Sequence, residues 1–322
     1  MQGAVAGEGH GTFESGWQNY VIERWWILVK KPTRRFPPWI KSSLPKAASV
    51  AAMRGKTYGK GLHTVCREAR CPNEGECSAR GAATFLILGD KCTRNCSFCA
   101  VTHGKPAVLR EGEAELVAGS VASLGLRHVV VTSVTRDDLP DGGSSVFSET
   151  VRAIRKFSNR TTVEVLIPDF QGSEEALRTV IASGPDVIGH NLETVPRLYP
   201  VLRKGASYKR SLELLRRVGE WGEDAVTKSG IMVGVGETRE EIMAVVRDLV
   251  DVRCAVLTIG QYLQPTPCHH PVHRFVPPEE FEDLKELAIA AGMMEVFAGP
   301  LVRSSYRAGE VVEKLMSSRA YH

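Results

Sequence analysis

From about Thr84 onward the chain alternates short β-like runs with amphipathic helical runs, and this alternation restricts the fold more than any other feature of its 322 residues. The expected strands are Thr84–Leu88, His128–Thr132, Thr162–Ile167, Asp186–His190, Ser229–Val233 and Val256–Gln261, with a weaker one at Glu295–Ala298. Between them the expected helices are Gly112–Leu124, Ser144–Phe157, Ser173–Ser183, Tyr208–Val218, Arg239–Val252 and Pro278–Ala291. Strands spaced by helices build βαβ units on a parallel sheet. Several of these strands are continuous apolar runs, as expected when both faces are covered. Six or seven units predict an α/β fold, a partial (β/α) barrel of about six parallel strands, rather than an open doubly wound sheet. No internal repeat or low-complexity segment interrupts the pattern.

Six of the eight cysteines fall between Cys66 and Cys99 as two triplets, Cys66, Cys71, Cys77 (C-x4-C-x5-C) and Cys92, Cys96, Cys99 (C-x3-C-x2-C). A structural zinc site closes its tetrahedron with four protein ligands. A four-iron, four-sulfur cluster on three cysteines leaves one iron open to a substrate or cofactor. Disulfides suit short secreted chains, and no cleavable secretory signal is visible here. Zinc stays open as an alternative, because His63 before Cys66 and His103 after Cys99 could each complete a Cys3His set. The x4 and x5 spacings are nonetheless looser than the tight pairs of zinc modules.

The second triplet begins just after the first expected strand, in the loop Gly89–Val101, and barrel enzymes carry their active sites in loops at the C-terminal strand ends. Other polar groups also follow strands: Ser133, Arg136, Asp137 and Asp138; Asn191 and Glu193; Gln261 and Gln264. The stretch Lys228–Glu237 joins a strand to a glycine turn able to bring backbone close to a ligand. Cys254 and Cys268 lack partner spacing and read as packed or incidental thiols. His269, His270 and His273 sit in a Pro-rich loop and read as surface histidines.

A chain with 43% hydrophobic and 24% charged residues is a globular protein. The early apolar stretch Trp25–Val29 is far too short to span a bilayer, and the first residues lack the plan of a secretory signal, so a cytoplasmic setting is expected. Residues 1–60 carry ten Lys/Arg against three Asp/Glu within a net charge of +4. Such a basic arm can attract an acidic protein, nucleic acid or a membrane surface, or serve only as a solvated tail. The expected organisation is a poorly structured basic leader (1–35), an extension carrying the first cysteines (36–82), the barrel (83–300) and a C-terminal segment (301–322).

Cys92-Thr-Arg-Asn-Cys96-Ser-Phe-Cys99 resembles the signature of radical S-adenosylmethionine enzymes. In those enzymes three cysteines hold a four-iron cluster whose fourth iron takes the amine and carboxylate of S-adenosylmethionine. Soft thiolates leaving one iron for hard N and O ligands fit that chemistry. Cys66-Arg-Glu-Ala-Arg-Cys71-Pro-Asn-Glu-Gly-Glu-Cys77 is similar to the auxiliary-cluster motif of the lipoyl synthase family. Ala83–Asp90, Thr132–Gly143, Asn191–Val195, Gly260–Pro265 and the C-terminal Arg303-Ser-Ser-Tyr-Arg307 match it too. The resemblance covers roughly Phe36 to Ala308. Its departures are Gly189, where a bulkier polar residue is commoner, and an unusual leader before Lys31.

The resemblance implies two four-iron, four-sulfur clusters and S-adenosylmethionine as cofactors. Cys92, Cys96 and Cys99 would hold the cluster that reduces S-adenosylmethionine; Cys66, Cys71 and Cys77 would hold the second, with Ser305 on its fourth iron and Ser304 as the alternative. Phe98, Ser133, Arg136, Asn191 and Glu193 would contact S-adenosylmethionine. The implied reaction inserts sulfur at C6 and C8 of an octanoyl chain on a carrier-protein lysine, with the second cluster as sulfur source. Unactivated C–H bonds offer no acidic proton, so general bases cannot start it and a carbon radical can. Implied partners are octanoylated carriers (the H-protein and acyltransferase lipoyl domains), an electron donor and a cluster assembly or repair factor, with neither nucleic acid nor membrane. The N- and C-terminal extensions are expected to cover the barrel mouth. The first triplet and the Arg303–Arg307 motif argue against methylthiotransferase-like or biotin synthase-like chemistry; a zinc-stabilised nucleic-acid-binding module is the alternative of a different class.

Overall fold

Among the described residues eight strands form one sheet in which each pairs with its neighbour in sequence: β1 (His63–Thr64), β2 (Ala83–Ile87), β3 (His128–Ser133), β4 (Thr162–Leu166), β5 (Val187–Gly189), β6 (Val226–Val233), β7 (Val256–Gln261) and β8 (Glu295–Gly299). The computed structural model describes residues 36–41, 51, 55, 57, 59, 61–69, 71, 73–80, 82–222, 224–305 and 309, all within the compact unit Phe36–His322. The expected leader 1–35, and Tyr306 and Arg307 of the C-terminal motif, lie outside the described residues. Strands β2 to β8 run parallel, and β1 adds antiparallel to β2. The sheet ends at β1 and β8 without closing on itself, so the barrel is partial. It has seven parallel strands where about six were expected, because Glu295–Gly299 is a full member.

The helices are α1 (Val65–Glu68), α2 (Glu74–Ala79), α3 (Glu113–Leu124), α4 (Ser144–Phe157), α5 (Glu174–Ile181), α6 (Tyr199–Leu202), α7 (Tyr208–Trp221), α8 (Arg239–Asp251) and α9 (Pro278–Ala290). Their starts are written locally. Ser173, Ser207 and Thr238 accept backbone N–H groups as N-caps, and Thr238 with Glu241 forms a reciprocal capping box. Phe85, Ile87, Val129, Val131, Val163 and Val165 pack outward against helix residues such as Phe147, Val151 and Ile154. Each such side chain, fully buried, contributes about 1.5–3 kcal/mol.

Successive strand residues point to opposite faces, so His128, Glu164 and Lys228 face the barrel interior. Lys228 is 2% exposed and donates to both oxygens of Glu164 at 2.9 and 3.0 Å. His128 Nε2 lies 3.6 Å from the same carboxylate. This pair explains why β6 begins at Val226 rather than at Ser229: a lysine reads as a strand boundary in sequence, but here it is neutralised inside the barrel. A Cβ on Gly309 would lie 3.1 Å from His128 Cβ, which places the end of the described chain against the start of β3.

Candidate functional site

The loop after β2 leaves the strand through Leu88 (φ 69°) and Gly89 (φ 92°), a left-handed pair that turns the chain across the mouth. Backbone bonds then shape the cysteine loop. Cys92 N–H donates to Thr102 O (2.8 Å), Gly104 N–H to Cys92 O (3.0 Å) and Cys99 N–H to Cys96 O (3.1 Å). The Arg94 amide donates to Cys92 Sγ at 3.4 Å. Other loops grip the same segment: Ser97 N–H reaches Leu202 O (3.0 Å), and His270 N–H reaches Ser97 O (2.8 Å). His269 Nε2 donates to Cys99 O at 3.0 Å while Thr266 Oγ1 sits 2.7 Å from its Nδ1. Two of the three expected surface histidines are therefore half-buried supports of this loop, and only His273 is exposed. Phe98 packs against the core cluster containing Leu192 and Tyr262.

The first triplet is carried by the short helices α1 and α2 and the turn joining them. Cys71 N–H donates to Cys66 O (3.0 Å), Cys77 N–H to Asn73 O (2.9 Å) and Ala82 N–H to Cys77 O (2.9 Å). Asn73, 3% exposed, donates its side-chain amide to Leu301 O at 2.7 Å. Val302 O in turn fills the space over Gly260, where a Cβ would meet it at 2.1 Å. The C-terminal segment is thus held between the first cysteine triplet and the inner face of β7, as the expected covering extensions require.

At the end of β5 the polar groups converge. Glu193 takes the left-handed conformation (φ 66°). Its oxygen accepts from Asn191 Nδ2 at 3.0 Å, and Asn191 Nδ2 also reaches Ser304 Oγ at 3.2 Å. Burial raises the Glu193 carboxyl pKa, and the Arg203 and Arg303 guanidinium groups oppose that rise. The half-buried Arg303 feels the charges of both Cys71 and Glu193, which oppose the lowering of its pKa by burial. Arg203 donates to Tyr199 Oη (3.0 Å) and Ser211 Oγ (3.1 Å), and its charge acts on Cys96. Sequence reasoning missed Arg203, which nothing local marks, gave Asn73 no role although it lies inside the first-triplet motif, and read His269 as a surface histidine; the 303–307 motif was the only signal for Arg303.

The remaining expected contacts separate. Ser133 Oγ and Asn191 Oδ1 are buried without a hydrogen-bond partner among the described residues, at the ends of β3 and β5. Buried polar atoms left open in this way suit a polar ligand at the mouth. Arg136, 4% exposed, is engaged by the protein: it clamps Asp138 through two bonds of 2.9 Å and donates to Leu88 O. Gln261 ties Val233, Tyr262, Arg274 and Val276 together. In the glycine turn, the Gly234 and Val235 amides are taken by Glu237. Cys254 is packed, 3% exposed, as expected.

All six clustered cysteines are free and half-buried. Burial first, then the neighbouring thiols, pushes Cys66 up to about 12. Burial pushes Cys77 and Cys99 to about 12, Cys96 to about 11, and raises Cys71. Such thiols become thiolates only beside strong positive charge, which iron supplies. Among the described residues no group of three or more His, Cys, Asp or Glu gathers as a single metal ion would need. A lone zinc ion would draw its sulfurs to about 3.8 Å of each other, given Zn–S bonds near 2.3 Å. A four-iron cluster takes each thiolate on a separate iron, and three thiolates in each triplet are the donor chemistry such a cluster uses. His63, which could have completed a Cys3His set with the first triplet in the zinc alternative, lies with its Nδ1 3.3 Å from Glu68 Oε1.

Residues 86–249 match the Radical SAM superfamily, and residues 9–71 match the N-terminal domain of lipoyl synthase of the Radical SAM family. The chain is 52% identical over 283 residues to the lipoyl synthase of Desulfotalea psychrophila, covering 88% of this chain and 95% of that one. It is 56% identical over 272 residues to that of Caldicellulosiruptor bescii, covering 84% and 94%. The chain belongs to the lipoyl synthase family. It is therefore an enzyme, and its superfamily works with a four-iron, four-sulfur cluster and S-adenosylmethionine. The lipoyl synthase match begins at residue 9, well before the Phe36 at which the resemblance was expected to start. Among solved structures, Streptococcus suis SuiB bound to S-adenosylmethionine superposes with a TM-score of 0.53 at 11% identity, covering 70% of this chain and 53% of SuiB. SuiB bound to its precursor peptide gives 0.54 at 12%, covering the same shares. At such identity the likeness is one of fold.

Proposed function

We propose that this lipoyl synthase family member inserts two sulfur atoms, at C6 and C8, into an octanoyl group carried on a lysine of a lipoyl carrier protein. The observation that supports this reading is the C-terminal segment, whose Leu301 carbonyl accepts from Asn73 beside the first triplet and whose Ser304 hydroxyl accepts from Asn191 beyond the end of β5. Cys92, Cys96 and Cys99 hold the cluster that reduces S-adenosylmethionine, and Cys66, Cys71 and Cys77 hold the sulfur-donating cluster. When bound, S-adenosylmethionine and the two clusters supply a carbon radical and inorganic sulfide. The chain's own residues position these groups and exclude water. Asn191, Glu193 and Ser133 offer polar atoms toward S-adenosylmethionine, with Phe98 beside the last cysteine. Asn191 already holds Ser304 on that side, which favours Ser305 as the ligand of the second cluster.

Octanoylated H-protein and lipoyl domains are the substrates, supported by an electron donor and a factor that rebuilds the spent cluster. No helix among the described residues is long and apolar enough to cross a membrane, and the reading places the enzyme in the cytoplasm. Anaerobic incubation with an octanoyl-lysine peptide, S-adenosylmethionine and a strong reductant tests it, with mass spectrometry expected to show two added sulfurs. Metal analysis is expected to give about eight irons with matching sulfide. Zinc without sulfide would overturn the reading.

A further inference from the structure

Arg94 stands inside the second cysteine triplet, between Cys92 and Cys96, yet its side chain is only 8% exposed. Its guanidinium spans two carboxylates. Nε donates to Asp137 Oδ2 at 2.7 Å, and Nη2 donates to Asp137 Oδ1 at 2.9 Å and to Asp169 Oδ1 at 2.6 Å. Asp169 is 1% exposed and takes a second guanidinium, Arg210 Nε, at 2.8 Å. Two cations and two anions balance, so the network is internally neutral. It joins the loop after β2 to the loops after β3 and β4 and to α7. Thr93 adds a second tie, its hydroxyl donating to Thr135 O (3.0 Å) and accepting the Asp137 amide (3.1 Å).

The backbone amide of Arg94 donates to Cys92 Sγ at 3.4 Å. Hydrogen bonds to ligand sulfurs help set the reduction potential of an iron–sulfur cluster. An amide keeps such a bond only if its peptide plane is held, and a bidentate arginine–carboxylate pair fixes direction as well as distance. We propose that Arg94, clamped by Asp137 and Asp169, is a positioning residue that holds its own amide on Cys92 and thereby tunes the S-adenosylmethionine-binding cluster. This inference rests on the reading that Cys92, Cys96 and Cys99 carry that cluster. The role proposed for Arg94 runs through the peptide it belongs to. A lysine at this position carries the charge but cannot make the fork.

The test compares the intact enzyme with Arg94→Lys, Asp169→Asn and the milder Asp137→Asn, each reconstituted with iron and sulfide under anaerobic conditions. The readouts are iron content, the electron paramagnetic resonance spectrum of the reduced cluster with and without S-adenosylmethionine, its midpoint potential, and the Kd for S-adenosylmethionine. Asp169→Asn and Arg94→Lys are expected to shift the potential and the spectrum, and to weaken S-adenosylmethionine binding by about 10–100-fold, the usual cost of losing a support behind a metal ligand. The first-triplet cluster should keep its spectrum. Asp137→Asn, at a partner that is 30% exposed, should fold normally and shift the same readouts in the same direction, less far. Variants that lose only thermal stability, with potential, spectrum and Kd unchanged, would overturn the proposal while leaving the reading of the cysteines intact. An unsubstituted enzyme without any S-adenosylmethionine-responsive iron–sulfur signal would overturn both.

Discussion

Asn73 and Leu301 are far apart in sequence, yet the Asn73 amide reaches the Leu301 carbonyl at 2.7 Å inside the protein. The same asparagine offers its backbone carbonyl to the Cys77 amide. One residue therefore shapes the first cysteine triplet and secures the segment that carries Ser304 and Ser305.

Replacing Asn73 with Asp removes the donor and leaves a buried carbonyl facing a carboxylate. The loss of one satisfied buried group costs about 1–3 kcal/mol. We expect Asn73→Asp to retain S-adenosylmethionine cleavage but to load roughly half the iron, since only the cluster proposed for the first triplet would be disturbed. Full iron loading with normal sulfur insertion would show that the latch is dispensable.

Gly260 leaves no room for a side chain, because a Cβ would meet Val302 O at 2.1 Å. Gly260→Ala must push the C-terminal segment outward. A displacement of about 1 Å at a reacting group can cost about 100-fold, so sulfur insertion is expected to fall at least tenfold while deoxyadenosine formation persists. Ser305→Ala should reproduce that split and Ser304→Ala should not; the reverse pattern would move the ligand to Ser304.

The Lys228–Glu164 pair is 2% and 1% exposed. Lys228→Met strands a carboxylate in the barrel and is expected to destabilise the fold by about 3–5 kcal/mol, whereas the double variant Lys228→Met/Glu164→Leu should recover most of it. Urea unfolding of the three variants and the parent checks this. Equal losses in single and double variants would mean the pair is not coupled.

His190 bonds Ile167 O at 2.8 Å and Ser211 Oγ at 2.9 Å, and burial together with the charge of Arg203 lowers its pKa from 6.5 to about 3. The folded state resists protonation and the unfolded state does not. The stability from the neutral ring is therefore full above about 6.5 and lost as pH falls toward 3, at up to about 1.4 kcal/mol per pH unit. Unfolding midpoints at several pH values should show a shallower acid slope for His190→Gln than for the parent. Coincident slopes would mean that His190 titrates as an exposed group.

The strand and helix order, the βαβ handover and the two cysteine triplets were legible along the chain, since apolar periodicity and ligand spacing are local properties. The seven parallel strands fall within a residue or so of their expected positions except at β6, where Lys228 hid three residues of strand, and the two-residue β1 was too short to show a period. What set Arg303 near Cys71 and Glu193, clamped Arg94 on Asp137 and Asp169 and set His269 on Cys99 was the closing of separate loops over one barrel mouth. Tertiary contacts of this kind join residues as far apart as Asn73 and Leu301, 228 positions, and a charged side chain looks the same in sequence whether its partner is water or a buried carboxylate. Sequence determined which chemistry the chain can hold; only tertiary packing decided which side chains support it, because burial gives a charge its partner and its meaning.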